Sequence, residues 1–349
     1  MSGIRRSSVV LIIVGILLLL LSAVARFVVT PMATKLPEDL DKGSTYAGTA
    51  TLLNAKALAA NDFAHAMIKD APITLEQGVK VTGIQDGLAI TEQNSLLKGP
   101  GGLESPSTHT YAIDRTSMQA TSQPPSGSNA QAASGLIFTL PPHPKQQDYS
   151  FFVPDLKTAA PLKYLGEGTV NGRDVYRYAV DASGPLANEE TLKTLPPALP
   201  KTLIGALAAT MPAAQRVALT AALPTLPAVV PLNYTASSKI GLSADKTIGA
   251  PLNSTVEQQI LANITIGGKS VPLMPVMAVK AQFTPQTVAD NVSSAGSAAQ
   301  KLTLLSVVVP LVLLVLGLIL IAVGVLRRKK PIAGAGTTTG ATTKELVND

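Results

Sequence analysis

The chain has no cysteine and no tryptophan among its 349 residues, and aromatic residues make up only 4% of it. No disulfide can staple such a chain, and no thiolate can act as nucleophile or metal ligand. Any domain it forms is held by core burial alone. The absence of tryptophan excludes a carbohydrate platform built on indole stacking. Charge is also scarce, at 14%, and the histidines are His65, His109 and His143. None of these is spaced as a zinc-ligand pair, and there is no Gly-rich phosphate loop or nucleophile elbow. Catalytic residues, metal ligands and cofactors are therefore expected to be none. Asp148 and Asp155 bracket the aromatic run Tyr149, Phe151 and Phe152. A paired-carboxylate glycosidase could use such residues, but a pair of this kind is not read from one sequence. His143 lies in Pro141-Pro142-His143-Pro144, a stiff polyproline-like segment that reads as a loop.

What the chain has in abundance is apolar sequence, at 46%. Leu302 to Leu326 passes 25 residues without a charge, and Arg327, Arg328, Lys329 and Lys330 follow at once. A bilayer core needs about 20 apolar residues in a helix, so residues 302–326 are expected to form a transmembrane helix. The basic cluster places the 327–349 tail, which lacks periodicity and reads as disordered, in the cytoplasm. At the other end, residues 1–8 carry Arg5 and Arg6, and residues 9–29 form a second apolar run interrupted by Arg26. Two readings compete there. One is a signal peptide cut after Ala23-Val24-Ala25; the other is an uncleaved anchor whose Arg26 snorkels to the outer interface. The apolar run continues past Arg26 into Phe27, Val28 and Val29, which favours the anchor. The net charge of +6 does not imply nucleic acid. Residues 31–300 hold 19 Lys+Arg against 20 Asp+Glu, a net of −1, so the surplus flanks the spans. Nucleic acid is excluded as a partner and the lipid bilayer is expected as one. The expected location is the cytoplasmic membrane, with two spans, both termini inside and the large domain outside.

Residues 30–301 lie between the spans. Strand patterns appear at Tyr46–Leu53, Ile73–Val81, His109–Arg115, Met118–Thr121, Asn233–Leu242, Val256–Ile266 and Met274–Phe283, punctuated by Gly-containing turns. Asn171-Gly172 suits the positive φ angles of a type I′ turn, so Tyr164–Val170 and Arg173–Val180 read as a β-hairpin. Composition shifts at about 189–231 to Ala, Leu and Pro. Thr202–Thr210 and Ala213–Leu223 read there as two short helices separated by Met211-Pro212, with Arg216 the only charge between Thr202 and Pro231. Leu203, Leu207 and Met211 share helical spacing, as do Leu219 and Leu223. These five are the candidate lipid contacts, set against the plainer reading of an α-hairpin packed on the sheet. Thr284–Gln300 reads as a small-residue tether. The fold class expected from these patterns is α+β: a mainly antiparallel β extracytoplasmic domain with an inserted short helical segment, between two transmembrane helices.

Several segments together resemble the actinobacterial DUF3068 family, also labelled the porin PorA family. They are Ala25-Arg-Phe-Val-Val-Thr-Pro31, the block from Gly135 to Val180 reading GLIFTLPPHPKQQDYSFFVPDLKTAAPLKYLGEGTVNGRDVYRYAV, the strand bearing Gln258, and the closing span. The chain departs from the family at Ile240-Gly241-Leu242, where a tryptophan is expected, and in its Ala/Leu/Pro insertion. The resemblance implies a two-span membrane protein with a mainly β domain outside, of a kind linked to maturation of envelope lipoglycans. A β-barrel porin is not expected, because such barrels cross with many alternating strands and carry no Leu-rich helical spans. The functional expectation is a non-enzymatic envelope accessory that binds or presents a lipid or lipoglycan intermediate. A scaffold for a membrane-bound envelope enzyme is the alternative, and an enzyme acting on envelope glycans is the third reading.

Overall fold

The computed structural model describes residues 6–328, apart from 55–56, 58–59, 61, 63–64, 66 and 209–212. Of the tail expected to be disordered, Arg327 and Arg328 end the last helix, and residues 329–349 lie outside the described residues. The chain divides into two units, Met1–Ala33 with Leu302–Asp349, and Thr34–Lys301.

The first unit is a pair of helices. Arg6–Val24 runs on through a π-helical turn, Ala25–Val29, to Thr30–Ala33. Its partner is Val309–Arg328, preceded by a second π turn, Leu304–Val308. Ser7–Ala33 and Pro285–Arg327 are each long and apolar enough to cross a membrane. The contact between them follows from the sequence. Pro310 has no N–H to offer the carbonyl four residues back, and Arg26 Nη1 donates to that Ser306 oxygen instead, at 3.0 Å. Ser22 Oγ donates to Pro310 O at 2.7 Å. The helices approach so closely at Gly15 that a Cβ there would lie 2.7 Å from Gly317 O, the small-residue packing typical of membrane helix pairs.

The described residues of the second unit form fourteen strands. In chain order they are β1 Asp41–Leu53, β2 Met67–Gln85, β3 Leu88–Gly99, β4 Leu103–Asp114, β5 Gln119–Ala120, β6 Gly135–Leu136 and β7 Tyr149–Val153. Then come β8 Thr158–Val170, β9 Arg173–Pro185, β10 Ala198–Pro200, β11 Val229–Pro231, β12 Asn233–Asp245, β13 Pro251–Ile266 and β14 Lys269–Phe283. Twelve of them close a barrel in the order β1-β14-β13-β12-β9-β8-β7-β6-β5-β4-β3-β2, while β10 and β11 pair only with each other. This overturns the expected α+β class, and with it the expectation that no closed barrel is present. Closure rests on β1 meeting β14, with Tyr46 opposite Phe283 and Leu52 opposite Met277. That pairing joins opposite ends of the domain, which no local periodicity encodes. The strands are also longer than their alternation suggested: Ile73–Val81 is the middle of β2, which runs from Met67 to Gln85.

Local features follow familiar chemistry. Asn171 (φ 45°) and Gly172 (φ 80°) close the β8–β9 hairpin with both central residues at positive φ, as a type I′ turn requires. The insertion between β9 and β12 forms helices Glu189–Thr194, Lys201–Ala208 and Ala213–Ala222. Asn188 caps the first by accepting from Glu190 N and Thr191 N. The expected tether at 284–300 is instead a helix, Pro285–Thr303. Thr284 caps it through Thr287 N, and Pro285 occupies the first turn, where no N–H is needed. Val292 and Ala295 on this helix pack on Val175 and Leu252 outside the barrel wall.

Candidate functional site

Side chains alternate between the two faces of each strand, so the register fixes what the barrel shows to its inside and outside. The outward positions carry charge. Glu257 pairs with Lys280 at 2.8 Å, Glu76 with Lys98 at 2.6 Å, Asp41 with Lys80 at 3.5 Å and Asp181 with Lys239 at 3.7 Å. These four pairs lie on β1, β2, β3, β9, β12, β13 and β14. A lipid-facing barrel presents an apolar band about 25 Å tall, and one Lys at its midplane costs about 2–4 kcal/mol. The outer surface of these strands is therefore suited to water.

The inward positions are largely apolar. Tyr46, Ala50, Ile73, Leu75, Val256, Val279, Ala281 and Phe283 form one buried cluster. Leu136, Val153, Leu162, Tyr178 and Val180 belong to a second. The helical insertion completes a third, in which Ile204, Leu207 and Leu219 pack with the inward residues Tyr234, Ala236, Ile260, Ala262 and Ile264. Tyr234 Oη donates to Pro196 O at 2.6 Å, and Lys201 Nζ donates to Pro224 O and Leu226 O, tying the insertion to itself and to the wall.

The candidate lipid contacts thus converge on one place. Leu207 and Leu219 are buried in the third cluster, and Leu203 and Leu223 are half-buried against it. Met211 lies outside the described residues. The two flagged carboxylates have separate settings. Asp148 Oδ1 accepts from Tyr164 N at 2.8 Å near the surface, whereas Asp155 sits in a short 3-10 turn after β7, and burial pushes its carboxyl upward against the opposing effect of His109. His143 occupies a positive-φ position in a loop, and His65 pairs with Asp62 on the surface. Among the described residues no group of three His, Asp or Glu could hold a metal ion.

Sequence reasoning missed two buried polar groups in separate settings: Tyr111 packs with Phe152, Ile113 and Ile137, and Ser238 lies on β12. Tyr111 and Ser238 are 0% and 1% exposed, and neither Tyr111 Oη nor Ser238 Oγ has a hydrogen-bond partner among the described residues. Burial pushes the Tyr111 hydroxyl up to about 12, with Asp155 and Glu190 adding to the shift. Ser238 faces Gln258 across the β12–β13 ladder, with Ala236 and Ile240 on the same face. The signal available was weak: a serine flanked two residues either way by apolar partners in an alternating strand.

A family model described as Porin PorA matches residues 7–326. No curated protein matches the chain. One solved structure, titled "Structural insights into dehydratase substrate selection for the borrelidin and fluvirucin polyketide synthases", is similar over 68% of this chain and 73% of that one. Identity there is 12% and the TM-score is 0.13, too slight a likeness to bear on fold or function.

Proposed function

Because the chain belongs to the Porin PorA family, we propose that it is a non-enzymatic membrane protein of the cell envelope whose barrel holds or presents a lipid or lipoglycan intermediate. The observation that carries this reading is the polarity of the wall: cross-strand ion pairs outside, and apolar clusters inside that a helical insertion completes. That is the reverse of a barrel that crosses a bilayer and conducts through a polar lumen. It is the arrangement of water-facing barrels that enclose an apolar ligand. The glycan part of the reading rests on the resemblance alone.

The two apolar helices supply the membrane attachment. In this reading both cross the cytoplasmic membrane, both termini are inside and residues 34–301 face outward, following the basic residues at Arg5, Arg6 and Arg327–Lys330. On the same reading the first span is a retained anchor, which the hydrogen bonds of Ser22 and Arg26 to the second span support. Intact-mass analysis tests this: a chain lacking Met1–Ala25 would contradict it. Native mass spectrometry of the detergent-extracted protein tests the central reading. A co-purified lipid is expected; its consistent absence, together with ion conductance in planar bilayers, would replace this reading with that of a pore. A scaffold role is the second reading, favoured by Val217 and Val229, both exposed on the insertion.

A further inference from the structure

The inward face of the barrel is not apolar all the way round. Glu76 and Lys80 on β2 point outward to Lys98 and Asp41, so Ile73, Leu75, Gln77 and Val79 between and beside them point inward. The register carries that face onto the neighbouring strands. Ser44 on β1 stands opposite Gln77, Gln77 opposite Ser95 on β3, and Ser95 opposite Ser107 on β4. In the next inward row Gln93 stands opposite His109. With strands about 4.8 Å apart, the first row runs roughly 14 Å across four strands. Ser95 Oγ and Ser107 Oγ meet at 2.8 Å, whereas the amides of Gln77 and Gln93 have no hydrogen-bond partner among the described residues. Exposure sets this patch apart from the rest of the same face. All six residues are half-buried although they point inward. One inward position further along, Thr91 and Tyr111 are 1% and 0% exposed, and on the opposite side Tyr46 and Leu75 are buried. Solvent therefore reaches the inner wall at this patch and is shut out beyond it. The patch also ends at a free strand edge, since Ser107 and His109 belong to the part of β4 that has no ladder on its second side among the described residues. The cation Lys42 shares the face but is exposed at the start of β1, with Val79 between it and Gln93.

We propose that this patch binds the sugar part of an amphiphilic ligand, with Gln77 and Gln93 as its principal hydrogen-bonding contacts and Ser44, Ser107 and His109 beside them. The inference rests on the lipid-holding reading above and adds the headgroup class and its position. An amide presents two donors and an acceptor in one plane, and a serine hydroxyl both donates and accepts, which matches the alcohol groups of a sugar. A phosphate or carboxylate would find no arginine or lysine within the six residues to pair with. Recognition is through hydrogen bonds, in a chain without tryptophan to stack on a sugar ring. Leu75 and Leu97 stand opposite each other one inward position from Gln77 and Ser95, so the wall changes from polar to apolar within one residue pair, as the two ends of an amphiphile do.

The test uses the full chain purified in a polyoxyethylene dodecyl ether. Dodecyl maltoside and dodecylphosphocholine, which carry the same tail, are titrated in turn, and native mass spectrometry reads the adducts retained. Wild type is expected to retain the maltoside preferentially. Gln77→Met and Gln93→Met are each expected to weaken maltoside retention about three- to tenfold, the range of one hydrogen bond, and to leave phosphocholine retention unchanged. Asn94→Ala, an outward and exposed change next to Gln93, should alter neither. Melting temperatures are measured in parallel, and Ser107→Ala gives the same reading from a smaller change should a glutamine variant melt early. A maltoside preference that survives in Gln77→Met, Gln93→Met and Ser107→Ala would overturn the proposal and leave the row to water inside the barrel. Equal retention of the two amphiphiles by wild type would also overturn it, while lipid holding itself would stand. Retention of neither would remove both.

Discussion

Two arcs of the barrel close by different means. In the long arc, β3 pairs with β4 from Leu88–Asp114 to Gly99–Leu103, and β12 pairs with β13 almost end to end. In the short arc, β4 meets β5 through the single pair Ile113–Ala120, and β6 meets β7 through the single parallel pair Leu136–Phe151. Burial does there what ladders do elsewhere. Met118, Ala120, Ala133, Leu136 and Ile137 are all buried, and loop bonds such as Gln131 N to Thr110 O and Leu140 N to Gly249 O stitch the segment in place. Residues 103–109 of β4 have no ladder on their second edge among the described residues. Pro106 sits in that stretch, and its missing N–H gives a foreign strand less to pair with. The contrast shows that a barrel can be closed by turn chemistry and packing between β4 and β7, provided the remaining ladders are continuous.

The largest expected effect lies in the long arc. Asp245 is 1% exposed, holds Arg173 Nη2 at 2.6 Å, and accepts from Thr247 N and Ile248 N at the β12–β13 turn. Asp245→Ala strands a partly buried guanidinium and is expected to cost about 3–5 kcal/mol, read from denaturant midpoints. In the short arc, Gly135 has φ 93°, and a Cβ there would lie 2.7 Å from Ser150 O. Gly135→Ala is expected to cost roughly 2–3 kcal/mol through backbone strain and overlap. Hydrogen exchange should then rise first across residues 135–153. If it rose equally in β12–β13, the two arcs would be one cooperative unit and the contrast would fail.

The parts legible in the sequence are those set by near neighbours. Both apolar runs appear as helices, Asn171-Gly172 appears as the hairpin turn, and Lys201–Ala208 and Ala213–Ala222 fall within two residues of their expected bounds. Barrel closure was hidden because Tyr46 and Phe283 meet only in the folded chain. The helix Pro285–Thr303 was read as a tether because its buried stripe, Ala295 and Ala299 beside Val292, is made mostly of small residues with little hydropathy contrast. For the site, the leucines of the insertion were found by their helical spacing. Tyr111 and Ser238 were not, since their orphan state depends on partners supplied by distant strands.

Smaller effects sharpen the comparison. Gly172 has φ 80° and no atom within 4 Å of an added Cβ, so Gly172→Val probes backbone strain alone. It is expected to cost about 1–2 kcal/mol and to lower the melting temperature modestly. Lys280→Ala removes an exposed pair with Glu257 and is expected to leave the melting temperature almost unchanged, with any small shift erased by salt. A clear loss would mean the outward ion pairs are shielded from water.

The water-facing wall is the central claim, and the absence of cysteine makes it directly measurable. Single cysteines at Thr49, Asn94, Lys239 and Lys280 report outward mid-strand positions on four strands, and Ser238→Cys reports the inside. In cells carrying the full chain, a membrane-impermeant maleimide is expected to label all four outward positions and to spare Ser238→Cys. Protection of the four outward positions, as lipid contact would give, would contradict a water-facing barrel.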